Sequence, residues 1–270
     1  MVSDTEPRSA FLEVNGLRMY VAEQGQGAPL LLVHGEVVDS GMWWPHLPAL
    51  AAHFRVILPD SRGHGRTDHP GGPITYQMMA DDVVALIRTL RLERPFVCGY
   101  SGGGQIALDL AVRYPDVARA VVVAGATSRW SPAYYDMVPR VWGMVAPGVV
   151  EHAPFLATVA QLRARLAPHF PEHDEAWWRA YHTSLSTAWM TPLPYTDADL
   201  RGVATPTLLL VGDRDAFIPL DDALTMYRLI PQAELAVVPG AAHGFLFGRP
   251  AAFTSVVLDF LLRQRAVPGP

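Results

Sequence analysis

The chain of 270 residues contains no lysine, so all 21 of its basic residues are arginine. Without an ε-amine there is no Schiff-base chemistry and no phosphate-binding P-loop lysine. Cysteine is nearly absent too. With only Cys98, no internal disulfide and no multi-cysteine metal site can form, and nothing points to an oxidising compartment. Long apolar runs are missing: Leu30–Val33 and Val121–Ala124 are far too short to span a bilayer. The stretch Met1 to Ala10 is polar and lacks the basic-then-apolar pattern of a secretory leader, so a cytoplasmic protein is expected. There is no basic run, and the net charge is −5, which argues against nucleic acid or a membrane as a partner. A small-molecule substrate is the expected partner, and a homodimer is left open. What is present is apolar: 50% hydrophobic against 17% charged residues, enough for one large folded core.

The apolar residues are arranged in strands and helices that alternate from about residue 28. Such alternation predicts an α/β fold with a mostly parallel sheet and helices on both faces. Asn15-Gly16, flanked by Phe11–Val14 and Leu17–Glu23, predicts an opening antiparallel hairpin. Short apolar runs at Leu30–Val33, Val56–Leu58, Phe96–Cys98, Val121–Val123, Thr207–Val211 and Ala236–Val238 read as buried strands. With the hairpin they make an eight-stranded sheet. Met79, Val83, Leu86, Ile87 and Leu90 share one helical face, as do Phe253, Val256, Val257, Phe260 and Leu261. Residues 128–200 break the rhythm. They show no clear strand, hold five of the seven tryptophans and are divided by prolines. This predicts a helical cap inserted into a core made of residues 1–127 and 201–270. Its aromatics either pack among themselves or line an apolar pocket. Trp130, Trp142 and Phe217 are the candidate pocket residues, with Trp43 as a further one that packing of the first helix would equally explain.

Gly99-Tyr100-Ser101-Gly102-Gly103 fits G-x-S-x-G, and it lies between an apolar strand and a helical stretch, Gln105–Tyr114. That setting gives the motif its meaning. A sharp strand-to-helix turn pushes the serine hydroxyl above the sheet, and small flanking residues let strand and helix approach. The hydroxyl then needs a base. His243 is the best of ten histidines, since it stands in a small-residue loop after the last strand. His34 and His64, also beside glycines, read better as structural histidines. The base needs an orienting carboxylate, and Asp215, just past the strand Thr207–Val211, has the reach; Asp213 reads as a loop tie. Two backbone N–H groups would serve a developing oxyanion: that of Gly102 after the nucleophile, and that of Glu36 in the loop after Leu30–Val33.

The core resembles the α/β-hydrolase superfamily, in particular its small esterase, lactonase and C–C hydrolase group. His34-Gly35, Asp60 to Asp68, Gly99 to Gly103, and Gly212 to Pro219 with His243-Gly244 carry the likeness. It implies Ser101, Asp215 and His243 as a triad and residues 128–200 as a substrate-setting lid, with no cofactor and no metal. Ester or lactone hydrolysis of a largely apolar small molecule is the expected activity. The alternatives are C–C hydrolysis, perhydrolysis, or a lyase or cyclase step involving Glu36, and a binding protein without turnover. Two residues depart from the pattern. Glu36 stands where a small or apolar residue is common, and Gly102 where a bulkier one is. The plainer expectation is that the Glu36 side chain points away. The sharper one is that it holds a water or a polar substrate group, or works as a second acid or base. The His169/His173 spacing is interrupted by Pro171 and predicts no helical metal site.

Overall fold

A computed structural model of the protein describes residues 7–166 and 173–266. Of the sequence-predicted features, His169 lies outside the described residues. The chain opens with β1 (Arg8–Val14) and β2 (Leu17–Gln24). Asn15 and Gly16, at φ 51° and 76°, form the left-handed turn that joins them. Then follow β3 (Pro29–Val33), α1 (Leu47–Ala51), β4 (Arg55–Pro59), α2 (Tyr76–Thr89), β5 (Phe96–Tyr100), α3 (Gly102–Arg113) and β6 (Ala120–Ala124). Next come α4 (Pro132–Trp142), the small strands β7 (Met144–Ala146) and β8 (Val149–Val150), α5 (His152–Leu166) and α6 (Glu175–Met190). The chain closes with α7 (Asp197–Arg201), β9 (Thr207–Gly212), α8 (Leu220–Leu229), β10 (Ala233–Val238), α9 (Phe245–Gly248) and α10 (Pro250–Ala266).

Eight strands form one sheet in the order β1-β2-β4-β3-β5-β6-β9-β10, antiparallel at the β1-β2-β4 edge and parallel from β4 onward. The central strands β3, β5 and β6 are buried along almost their whole length, which is why they read as continuous apolar runs. Helices cover both faces. Helix α2 starts where the Thr75 hydroxyl accepts the Met78 N–H, and it buries Met79, Val83, Leu86 and Ile87. Helix α10 buries Phe253, Val257, Phe260 and Leu261. Each such side chain contributes about 1.5–3 kcal/mol by leaving water.

Between β6 and β9 the structure corrects one expectation. This segment was expected to carry no strand, yet β7 and β8 pair there as a short hairpin, turning at Pro147-Gly148 with Gly148 at φ 76°. Strands of three and two residues carry no readable alternation. The helices around them pack through aromatic rings: Trp142 on Trp189 (centroids 5.0 Å apart), Phe155 stacked on His182 (4.0 Å) and Trp177 stacked on Tyr181 (5.1 Å). One hydroxyl ties α6 to the core. Tyr181 Oη accepts the Val37 N–H (3.0 Å) and donates to His64 Nε2 (2.7 Å). Among the described residues no helix is long and apolar enough to cross a membrane.

Candidate active site

Ser101 stands at the turn from β5 to α3 with φ 54° and ψ −118°, a strained geometry for a residue with a side chain. The strain is held by the surroundings. The Ser101 N–H donates to Ala124 O (2.8 Å). A methyl group at Gly99 would strike the Gly103 carbonyl, and one at Gly103 would strike the Val33 carbonyl, so only glycines let β3, β5 and α3 meet this closely.

The loops after β9 and β10 bring two more side chains to the same strand ends. Asp215 Oδ1 accepts the N–H groups of Phe217 (2.9 Å) and Ile218 (3.0 Å), which fixes the carboxylate. Its Oδ2 faces His243 Nδ1 at 2.7 Å. An ionised carboxylate only accepts, so Nδ1 carries the proton and Nε2 keeps its lone pair. That Nε2 lies 3.0 Å from Ser101 Oγ. The His243 loop is anchored twice. Asp213 Oδ1 accepts the Ala241 N–H (3.2 Å), and the Tyr100 hydroxyl donates to the His243 carbonyl. Ser101, His243 and Asp215 are thus one row of hydrogen-bonded groups. His34 and His64 stand outside it. His34 Nδ1 donates to Gly35 O while its Nε2 accepts the Ser61 N–H. Burial and the neighbouring His34 lower the His64 pKa to about 3, its ring bonded to Arg62 O and Tyr181.

Glu36 overturns the plainer expectation. Its side chain turns inward, and Oε2 accepts the Gly102 N–H at 2.9 Å. The carboxyl group is buried, and its Oε1 has no hydrogen-bond partner. Burial raises its pKa; the Tyr76 hydroxyl and the N–H groups of Glu36 and Gly102 oppose that rise only in part. The Gly102 N–H, expected to meet an oxyanion, therefore serves this carboxylate instead. The contact spans 66 residues of sequence, which is why local pattern did not show it.

Over this row lies a cavity of about 480 Å³, within the usual range for small-molecule sites. Trp130, Trp142 and Phe217 line it, joined by Tyr134 and Trp189. Trp130 stacks on Tyr134 with centroids 4.1 Å apart, and the Phe217 ring lies 4.9 Å from that of His243. Trp43 does not line it. That ring is fully buried against His46 and Phe253, packing the first helical turn onto α10. Gln105 does line the cavity and was not singled out from sequence. It is 1% exposed, and neither its amide oxygen nor its nitrogen has a partner. A signal was present: residue i+4 from the serine lies one helical turn on, facing the same way. Among the described residues no three His, Cys, Asp or Glu side chains converge as a metal site requires.

Comparison with known proteins agrees with this architecture. Residues 28–154 match a family model described as alpha/beta hydrolase fold, and residues 179–268 match one described as TAP-like protein. The chain is 30% identical over 268 residues to 2-hydroxymuconate semialdehyde hydrolase of Pseudomonas sp. (strain CF600), covering 93% of each chain. Among solved structures it is similar to a thermophilic esterase from Thermogutta terrifontis (TM-score 0.78, 25% identity, 95% of this chain and 99% of that one). It is also similar to the enol-lactonase from Burkholderia xenovorans LB400 (TM-score 0.73, 25% identity, 94% of this chain and 100% of that one).

Proposed function

Since the chain belongs to the α/β-hydrolase family, we propose that it is a serine hydrolase that cleaves an ester or lactone of a largely apolar small molecule through an acyl-enzyme on Ser101. The observation that carries this reading is the unbroken row Asp215–His243–Ser101, with links of 2.7 and 3.0 Å, at the floor of an aromatic cavity. Ser101 Oγ attacks the carbonyl carbon while its proton passes to His243 Nε2. Asp215 steadies the imidazolium. The leaving group takes that proton as its bond to carbon breaks. Water, deprotonated by His243 in turn, then attacks the acyl carbon and frees the acid and the serine. Residues 128–200 act as the lid, and Trp130, Trp142 and Phe217 hold the apolar body of the substrate.

A second reading keeps the row but changes the bond: hydrolysis of a C–C bond next to a carbonyl. It is favoured by the similarity to a 2-hydroxymuconate semialdehyde hydrolase over nearly the whole chain. Both readings predict that a fluorophosphonate probe labels the native enzyme and that labelling is lost in Ser101→Ala. Full labelling of that variant would overturn the assignment of the nucleophile. Burst release of alcohol from an ester, set against retro-Claisen-type release of a carbon fragment that takes up the proton from His243, separates the two.

A further inference from the structure

The two departures noted in the sequence, Glu36 and Gly102, are one feature in space. A methyl group at position 102 would collide with the Glu36 carboxyl, so the carboxyl fills the volume that a side chain there would take. It does so while accepting the Gly102 N–H at 2.9 Å. That N–H is the donor that follows the proposed nucleophile, where an acyl oxygen must be received. A single N–H cannot serve both acceptors at full strength. The loop behind Glu36 is pinned: Val37 is held at φ 57°, and its N–H is bonded to the Tyr181 hydroxyl. So the backbone stays while the side chain turns, and the adjoining cavity gives it space. Once turned, the carboxyl leaves its hydrogen bond from the Gly102 N–H. Its Oε1 already lacks a partner, and leaving a second buried oxygen unpaired is costly. The exchange is balanced when the substrate brings a donor of its own. Gly102 N–H then passes to the substrate carbonyl, and the carboxyl passes to the substrate donor.

We propose that Glu36 is an internal ligand of the oxyanion site which the substrate must displace, and that it selects carbonyl substrates bearing a hydroxyl or N–H donor beside the scissile carbonyl. This rests on the reading of Ser101 as nucleophile. Glu36 is on this account a specificity-determining residue, and Gly102 is what makes room for it.

The test compares phenyl 2-hydroxybutyrate with phenyl butyrate on the full chain, with kcat/KM corrected for the two esters' reactivity toward hydroxide. The native enzyme prefers the hydroxy ester on the order of 10- to 100-fold. Glu36→Ala frees the N–H, so turnover of phenyl butyrate rises and the preference collapses toward unity. Glu36→Gln preserves size and the bond from Gly102. Being a neutral, weaker acceptor, it gives an intermediate preference and keeps the test valid if the alanine variant folds poorly. A native enzyme without preference, or variants that retain the native preference, would overturn the proposal. Fluorophosphonate labelling run on the same samples keeps the two claims apart. Normal labelling of Ser101 with an unchanged preference discards the role of Glu36 alone. An unlabelled native enzyme discards the nucleophile and this proposal with it.

Discussion

Two sets of polar groups meet at the cavity, and they differ in whether they are satisfied. Along the strand ends, the Ser101 N–H, both Asp215 oxygens and both His243 ring nitrogens have partners between 2.7 and 3.0 Å. On the surrounding walls, Glu36 Oε1, both Gln105 amide atoms and the indole nitrogens of Trp142 and Trp189 are buried with none. Buried polar atoms without partners are rare in folded proteins and need a reason. Others occur elsewhere in the fold, such as Trp43 Nε1 and His46 Nε2, but these five belong to residues that line the cavity. The satisfied set is aligned before anything binds. The unsatisfied set is aligned for something still to come.

Breaking the satisfied row has the largest expected effect. His243→Ala lowers turnover on the order of 10⁴-fold, and Asp215→Asn lowers it nearly as much by losing hold of the His243 tautomer, with little change in the melting curve of either. A fall of only tenfold in initial rate would mean that the row does not act as a unit. Next comes the tie between α6 and the core. Tyr181→Phe strands the Val37 N–H and His64 Nε2 and costs about 1–3 kcal/mol in denaturant unfolding; unchanged stability would show that water replaces the hydroxyl freely.

Removing an unsatisfied group has the opposite sign. Gln105→Leu raises stability by about 1 kcal/mol, or about 2–4 °C in Tm, because an orphaned amide becomes an apolar side chain. The same change raises KM for the true substrate. A lower Tm would show that Gln105 is paired in solution. A separate effect is on pH dependence. The unfolded chain takes up a proton at His64 near its usual value of 6.5, and the folded chain only near about 3. Below about 6.5 the unfolded state therefore binds more protons, and this part of the stability declines as the pH falls toward 3. Melting curves of His64→Gln should flatten with pH in that window; an unaltered pH slope contradicts a neutral, buried His64.

The satisfied row was legible in sequence and the unsatisfied walls were not. Ser101, Asp215 and His243 each follow an apolar strand within a few residues, so strand order alone brings them to one edge. The sheet was legible for the same reason: its central strands are continuous apolar runs. What failed depended on distant contacts or on very short elements. The inward turn of Glu36 needs Gly102, 66 residues away. Trp43 and its neighbour Trp44 look equivalent on paper, yet Trp43 is committed to the Phe253 ring more than 200 residues on. The β7–β8 hairpin has too few residues to show a period. Gln105 sat in plain view, but a glutamine on a helix is usually solvated, and only its burial marks it out.

The central claim is that Ser101 carries the acyl group. Rapid-quench intact-mass analysis during turnover of an activated ester tests it most directly. The account predicts a transient adduct of the acyl mass on the peptide containing Ser101, forming before the steady state and absent from Ser101→Ala. Undiminished hydrolysis by Ser101→Ala, or an acyl group found on another residue, would contradict it.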